Sequence, residues 1–248
     1  MTTTLTRVTL SSLLSLAVLS MPASAAPPLK PKTNLPPSAD LAYTIKALQS
    51  GLTINGNAMV QWTAAAGKYS VVTETRAMLV GKILDEKSEG AIDQYGLAPG
   101  TFTEKRFRKE ATTATFDRAA KTISFTSSAN TYPIKGGEQD RASAIWQLIS
   151  IARGTPAKFR PGSSWTFVVA GQQDAEPWTF KVGKQEKIRT PLGEINALHV
   201  VKAPPPNSKG QKLDIWLAPS HEWYPVRLRF ADDKGEYIEQ TLETVNKR

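Results

Sequence analysis

The residue types that most often carry catalysis are scarce in this chain. There are 2 histidines, His199 and His221, and no cysteine. Neither histidine has a second one at metal-ligand spacing, and no Gly-x-Ser-x-Gly nucleophile elbow or phosphate-binding loop is present. The lack of cysteine excludes disulfides, thiolate metal sites and cysteine nucleophiles. We therefore predict that the protein is not an enzyme and that it holds no metal and no cofactor.

Both histidines are interpreted as surface residues. His199 lies between Leu198 and Val200 in an alternating stretch, which predicts a side chain facing solvent. His221 follows Ser220 in a connection between strands. This pair resembles half of a nucleophilic dyad, but adjacent side chains on an extended chain point apart, and no acid is placed to orient the ring.

One arginine has a position that favours ligand binding. Asp140 and Arg141 stand at the start of an amphipathic stretch, where Asp140 can cap a helix. Arg141 is then either a solvated neighbour of the cap, or it reaches over the rim of a sheet toward a ligand carboxylate or phosphate. The planar donor fork of a guanidinium suits the second role.

Aromatic residues form two alternating rows. The rows are Trp165, Phe167 and Val169, then Trp178, Phe180 and Val182. Gly171 to Ala175 permits a hairpin, so the rows can oppose each other as cross-strand pairs. They either fill a core or line an apolar groove for a lipid, an acyl chain or an apolar peptide. The candidate ligand-binding residues are Trp146, Trp165, Phe167, Trp178, Phe180 and Arg141.

The rest of the pattern predicts many strands and one helix. Leu41, Tyr43 and Ile45 alternate with small or polar residues, and about a dozen such segments follow one another. Asn55-Gly56 suits a two-residue hairpin turn, and Thr190 to Gly193 and Asp233 to Gly235 suit further turns. The predicted fold is all-β with one amphipathic helix: a large antiparallel curved sheet forming an open or spiral β-barrel.

The helix is predicted at about 140–153. The apolar residues recur there at intervals of three and four, and Gly154 and Pro156 follow the run. They are Ala142, Ile145, Trp146, Leu148, Ile149 and Ala152. Such a face must be buried, so we expect the helix to pack against the sheet or to plug it.

The N-terminus has the features of an export signal. Arg7 precedes an apolar stretch that ends at Ala23-Ser24-Ala25, a small-x-small cleavage site. We predict a cleaved signal peptide at 1–25, a proline-rich flexible leader at 26–40 and one β-rich domain at 41–248. The apolar stretch is shorter than the ~20 residues of a membrane span, so we expect no stable membrane insertion. The predicted location is the periplasm.

Composition and charge agree with a globular protein. Of the 248 residues, 40% are hydrophobic, and the formal net charge is +9. Long-range attraction to anionic surfaces follows from this charge. The densest basic run alternates between two faces and lies between acids, so we predict no nucleic-acid partner. That run consists of Lys105, Arg106, Arg108 and Lys109.

The chain resembles the domain-of-unknown-function 3108 family of exported bacterial proteins. The resemblance covers about 41–244. Its most specific parts are Asp214-Ile-Trp216-Leu-Ala-Pro219 and Tyr224-Pro225-Val-Arg227-Leu-Arg229. The remaining parts are Gly96-Leu97-Ala98-Pro99, Glu104-Lys-Arg106, Gln139-Asp140-Arg141-Ala-Ser143, Pro191-Leu192-Gly193 and Ala197-Leu198-His199.

The resemblance implies a β-rich envelope domain of unassigned activity and supplies no catalytic residues. Some broadly similar exported proteins, including lipoprotein carriers with an open barrel around a helix, hold acyl chains. The comparison of this chain with them is an analogy of fold alone. We therefore expect a non-catalytic envelope protein that binds an apolar or amphipathic ligand, such as a lipid, in a curved sheet. The alternative is a structural or assembly factor that acts through an envelope protein partner.

Overall fold

The computed structural model describes residues 30–204 and 210–248. The predicted signal peptide lies outside the described residues, as do positions 26–29 of the predicted leader. Within the described ranges the chain forms 15 strands and one α-helix. In chain order they are β1 Ala39–Gln49, β2 Leu52–Ala65, β3 Lys68–Ala77, β4 Gly81–Asp93, β5 Gly96–Arg106, β6 Thr112–Asp117, β7 Thr122–Phe125, β8 Ser128–Pro133, β9 Gln139–Asp140, α1 Ser143–Gly154, β10 Ser164–Ala170, β11 Ala175–Thr190, β12 Gly193–Lys202, β13 Lys212–Leu217, β14 Pro225–Ala231 and β15 Tyr237–Lys247.

All strands belong to one sheet. Its order is β8-β7-β6-β5-β4-β3-β2-β1-β15-β14-β13-β12-β11-β10-β9. Neighbours are antiparallel except β9 and β10, which are parallel. The sheet curves but does not close, because β8 and β9 remain its two edges. The predicted all-β fold with an open, curved sheet and one helix is confirmed.

Alternation along the strands creates an inner face, which looks toward α1, and an outer face. In β1 the inner residues Leu41, Tyr43 and Ile45 are buried, whereas Lys46 is exposed. This is the period of two expected of a strand with one face on the core. The inner residues and α1 form one contiguous hydrophobic core.

One predicted turn is wrong. Asn55 and Gly56 lie inside β2, and the hairpin turn is at Ser50 and Gly51, which have φ of 50° and 76°. Gly56 is needed for close approach, because a Cβ there would lie 2.1 Å from the backbone oxygen of Arg76. The turns predicted at 190–193 and 233–235 do join antiparallel strands.

The antiparallel order separates the turns into two ends. One end, here called the rim, carries the turns at residues 50–51, 78–80, 107–111, 171–174 and 232–236. Ser50 N donates to Glu236 Oε1 at 2.7 Å, which links two rim turns, and Met78 N donates to the Asn55 oxygen at 3.0 Å, which holds the turn 78–80 against β2. The opposite end, here called the far end, carries the turns at 66–67, 94–95, 191–192 and 218–224.

Helix α1 occupies the far half of the curved sheet. Trp146 stacks on Trp62 with ring centroids 4.3 Å apart, and it meets Tyr224 edge-on. Gln147 accepts a hydrogen bond from Leu97 N and donates one to the Tyr95 oxygen, both next to a far-end turn. The helix is buried nearly all round, as a helix that plugs a sheet must be.

The observed helix begins later than predicted. The sequence pattern predicts that the helix includes 140–142, but Asp140 ends strand β9, and α1 starts at Ser143. The pairing of β9 with β10 takes Asp140 out of the helix. Its side chain nevertheless accepts hydrogen bonds from the amides of Ala142 and Ser143, as a capping residue does.

The end of the proline-rich leader is fixed on the domain. Asn34 N donates to the Ser150 oxygen, Trp62 Nε1 donates to the Pro36 oxygen, and Tyr224 OH donates to the Pro37 oxygen. The prediction of a flexible leader up to residue 40 therefore does not hold for 34–40. The backbone oxygens of this segment satisfy buried aromatic donors, which a count of prolines does not reveal.

Replacement of Trp146 tests the position of the helix. Trp146→Ala is expected to lower the free energy of unfolding by about 3–5 kcal/mol, because it removes a stacked core residue and leaves a cavity. A denaturant melt measures this loss. Ile145→Ala, on the partly buried side of the same helix, is the matched control and should cost less. A loss below about 1 kcal/mol for Trp146→Ala would contradict the plugged architecture.

Candidate functional site

A buried lysine faces inward near the rim. Lys202 is the last residue of β12, lies opposite Phe180 in the sheet and is only 7% exposed. Its Nζ is 4.5 Å from the centroid of the Trp178 ring and 3.9 Å from Glu176 Oε1. Within the described residues its ammonium donates no hydrogen bond. Burial lowers the pKa of Lys202, Glu176 opposes this shift, and the positive charge of Arg141 adds to it.

Arg141 is a second cation beside this lysine. Its guanidinium lies flat against the rim turn after β10, where a Cβ on Gly171 would come within 2.9 Å of Arg141 Nη2. The one ion pair of this guanidinium in the described chain is a contact of 3.9 Å between Nη1 and Glu104 Oε2. At that distance most of the donor fork of Arg141 has no acceptor among the described residues.

Two glutamates face these cations from the other half of the sheet. Glu86 of β4 and Glu104 of β5 are direct cross-strand partners on the inner face. Glu104 is 1% exposed. Its Oε1 accepts hydrogen bonds from Gln172 Nε2 at 2.8 Å and from Arg106 Nε. Its Oε2 accepts none in the described part of the chain.

Burial and neighbouring like charges raise the pKa of the half-buried Glu86. Burial, followed by the negative charges of Glu104 and Asp140, raises the pKa of Glu86 to about 7. Arg141 and Arg106 oppose the shift. Glu86 therefore exchanges its proton near neutral pH, whereas an ordinary glutamate is fully ionised there.

Asp140 connects the charged residues to the helix. Its Oδ1 accepts the amides of Ala142 and Ser143 at 2.9 and 2.8 Å, and its Oδ2 accepts Ser88 Oγ at 2.6 Å. Ser88 Oγ in turn lies 3.0 Å from the hydroxyl of Tyr69. Burial raises the pKa of Asp140 to about 6, although these hydrogen bonds lower it.

Apolar side chains continue the inner face beyond Lys202. One cross-strand row runs over five further positions from β11 to β1, and some of its members are only partly buried. The row contains Phe180, Leu213, Phe230, Ile238 and Ala47. Contacts of α1 place it in the far half, so this rim half of the inner face combines apolar surface with unsatisfied charge.

The predicted aromatic pairing is present. Trp165 lies opposite Phe180, and Phe167 lies opposite Trp178. Trp165, Phe167 and Phe180 are buried in the core, whereas Trp178 is partly buried beside Lys202. Their roles as ligand contacts stay a prediction, and Trp178 is the least buried aromatic of the two rows.

The six predicted site residues do not form one group. Trp178, Phe180 and Arg141 lie near Lys202, but Trp146 packs in the far half against Trp62. A cavity of about 210 Å³ lies beside Phe167. Phe167 alone of the six lines this cavity, whose volume is below the roughly 300–1,000 Å³ of small-molecule pockets.

The structure corrects the interpretation of His199. Its side chain is 20% exposed and stacks on Trp216 with ring centroids 4.6 Å apart. Nε2 lies 2.7 Å from Asp214 Oδ1, and Nδ1 lies 3.2 Å from Glu186 Oε1. Burial opposes ionisation of Asp214, but hydrogen bonds from His199 and Lys212 outweigh it and lower the pKa of that carboxyl. His199 is thus a bridge between strands of the outer face.

The structure also corrects the expected separation of Ser220 and His221. The hydroxyl of Ser220 lies 3.0 Å from His221 Nδ1, because a 3₁₀ turn at Pro219–His221 brings the neighbouring side chains together. No carboxylate orients the ring among the described residues. The arrangement therefore lacks the third member of a triad.

Sequence reasoning missed Lys202, Glu86 and Glu104. Glu104 stands beside the basic run and in the Glu104-Lys-Arg106 part of the resemblance, with no role predicted for it, and Glu86 stands in a strand that carries charges on both faces. The signal that could have found them is the alternation of side chains along a strand. Glu86 lies on the same face as Ser88, and Lys202 lies on the same face as the apolar Val200. Parity alone does not tell which face of β4 is enclosed.

The fold and the site define a class: an open antiparallel sheet around one buried helix, with a charged and apolar inner face at the rim. The family described as "Protein of unknown function (DUF3108)" matches residues 42–243. The chain belongs to this family, which confirms the resemblance noted from sequence. No curated protein matches the chain.

Two solved structures are similar to this chain at low identity and low TM-score. A Bacteroides fragilis protein described as exported, with a YmcC-like fold, is 10% identical; the match covers 87% of this chain and 100% of that one, with a TM-score of 0.37. A Vibrio parahaemolyticus domain described as an outer membrane lipoprotein-sorting protein is 10% identical, covers 86% of each chain and has a TM-score of 0.29. Among the described residues, no helix has the length and apolar character needed to cross a membrane.

The raised pKa of Glu86 predicts how stability depends on pH. The folded protein binds more protons than the unfolded chain between pH 4.5 and about 7, so the free energy of unfolding falls as pH rises through that window. Glu86→Gln is expected to stabilise the protein by about 1–2 kcal/mol near pH 8, a value reduced for the partial exposure of Glu86, and by less near pH 5.

Denaturant melts between about pH 5 and pH 8 measure this difference. Glu89→Gln is the matched control, because Glu89 is an exposed glutamate on the outer face of the same strand. Equal pH dependence in the wild type and Glu86→Gln would contradict the assignment.

Proposed function

We propose that the protein is a non-catalytic envelope protein of the periplasm that binds an amphipathic ligand with an anionic head group. The ligand lies on the rim half of the inner face. Lys202 and Arg141 bind its carboxylate or phosphate, and its apolar chain packs along Trp178, Phe230 and Ile238. The observation that carries this proposal is the inward-facing side chain of Lys202, a residue only 7% exposed whose ammonium has no acceptor at hydrogen-bond distance among the described residues.

The environment of Lys202 supports an anionic head group. A buried charge is costly unless it is paired and hydrogen-bonded. Glu176 is 3.9 Å away, which is beyond hydrogen-bond distance, and the nearby Arg141 adds a like charge. An anion between the two cations would satisfy both sets of donors, and Arg141 offers the planar fork that suits a carboxylate or phosphate.

The two glutamates that face these cations present little repulsion to an anionic ligand. Glu104 is held by Arg106 and Gln172, so its charge is largely committed to the rim of β5 and the turn after β10. Glu86, with a pKa of about 7, can be neutral when an anion is present nearby. Protonation of Glu86 removes the repulsion that a second carboxylate would otherwise meet.

A structural or assembly factor is the second candidate function. The observation that favours it is the burial of Trp165, Phe167 and Phe180 in the core. Packing alone is then enough to account for these residues, without a ligand. In this case Lys202 and Arg141 would contribute to the stability of the domain and bind no ligand. The two functions make different predictions for a soluble amphipathic probe.

Binding of a fluorescent fatty acid tests the proposed function. We expect saturable binding that competing fatty acids displace with rising affinity, about fourfold for each added methylene, because each contributes ~0.8 kcal/mol. The methyl esters should compete at least about tenfold less well, since they lack the charge that Lys202 and Arg141 bind. Displacement titrations measure both series.

Variants assign the binding to the site. Lys202→Gln should abolish the preference for acids over esters, and Trp178→Leu should weaken binding more than folding. Lys181→Gln is the matched control, because Lys181 is an exposed lysine of the outer face next to Phe180. No saturable binding by the folded protein, or an acid preference that survives Lys202→Gln, would contradict the proposal and favour the structural role.

A further inference from the structure

Exposed apolar side chains gather at the rim. The turn between β3 and β4 is Met78-Leu79-Val80, in which Met78 is 77% exposed and Leu79 is 100% exposed. Leu52 at the start of β2 is 67% exposed, and Phe107 after β5 is also exposed. Turns are ordinarily built from glycine, proline and small polar residues, so three consecutive apolar residues at a tip are not explained by turn formation.

The topology places these residues side by side. Strands β1 to β6 are neighbours in the sheet, and every second connection between them lies at the rim. These rim connections carry Leu52, the turn at 78–80 and Phe107. Met78 N donates to the Asn55 oxygen, which fixes the second turn against the start of β2. The result is one exposed apolar strip, here called the apolar rim: Leu52, Met78, Leu79, Val80 and Phe107.

Cations flank the apolar rim. Lys46, Lys105 and Lys109 are exposed and have no ion pair in the described part of the chain. The Arg108 guanidinium lies 4.9 Å from the centroid of the Phe107 ring. Arg76 and Lys82 lie at the base of the turn 78–80, where Glu74 and Asp85 pair with them. Three lysines and Arg108 therefore remain available to an external anionic surface.

We propose that the apolar rim docks the protein on an anionic lipid bilayer. Apolar tips that enter the acyl region, with lysines and arginines at the level of the head groups, are the composition by which peripheral elements bind membranes. The net charge of +9 adds long-range attraction to the same surface. A protruding apolar tip with unpaired lysines near it fits a fluid, negatively charged surface better than a flat apolar protein interface.

The apolar rim and the proposed ligand site lie at the same end of the sheet. Lys202 ends β12 at the rim, and Arg141 packs on the rim turn at 171–174, so the inner-face site opens at the same end of the sheet. A protein docked there holds that opening toward the bilayer. The docking inference itself depends on the exposed residues and their charge, and it stands independently of what the inner face binds.

Vesicle flotation tests the docking. The protein purified from cells is mixed with vesicles of phosphatidylethanolamine and phosphatidylglycerol, or with vesicles of phosphatidylcholine alone. We expect binding to the anionic vesicles that decreases with added salt, and at least about tenfold weaker binding to the neutral ones. Replacement of the tip by Met78→Ser, Leu79→Ser and Val80→Ser together should weaken binding to anionic vesicles at least about tenfold.

Two controls make the result specific. Leu192→Ser changes a leucine that is 44% exposed in a turn at the far end, and it should leave vesicle binding within about twofold of the wild type. The triple tip variant should keep fatty-acid binding in solution, so failure of docking is distinguishable from failure of the inner-face site. Light scattering monitors association of the protein with itself.

Three outcomes would overturn the inference. They are absence of binding to anionic vesicles, equal binding by the wild type and the triple tip variant, and a dimer of the wild type that the tip variant dissociates without any vesicle binding. The last result would assign the apolar rim to contact between two copies of the chain.

Discussion

The structure depends on a fully buried carboxylate at the junction of sheet and helix. Asp140 binds the first amides of α1 through one oxygen and Ser88 of β4 through the other. This fixes the start of the helix against the inner face and directs α1 into the far half of the curved sheet, where Trp146 stacks on Trp62. The rim half is consequently left without a helix, and its lining is free to serve a ligand.

Burial of charge explains why this lining is chemically unusual. Apolar side chains on the inner face of a strand are expected, but Glu86, Glu104 and Lys202 also point inward. Glu104 pairs with Arg106 and accepts a hydrogen bond from Gln172, whereas Lys202 has no acceptor at hydrogen-bond distance among the described residues. Burial of an incompletely paired charge lowers the stability of the fold, and a protein tolerates this loss where the charge serves binding or catalysis. Binding is the role that we propose for these residues.

The sequence predicts the local features of this molecule better than the long-range ones. Alternation gave β1 and the opposed rows of Trp165 and Phe180 correctly, because side-chain parity is a property of each strand. The turn at Asn55-Gly56 was wrong, since Gly56 is required for close strand approach and not for a positive φ. Glu86 was missed because its enclosure arises from curvature that brings β4 near β9, far apart in the sheet order.

The central claim is that the rim half of the inner face holds an amphipathic anion. Native mass spectrometry of the protein isolated from cells without detergent tests this claim most directly. We predict protein ions that carry the additional mass of one amphipathic anion, and a loss of that mass in the folded Lys202→Gln variant. Wild-type protein that shows only its own mass, or the mass of a protein partner in place of a small molecule, would contradict the account.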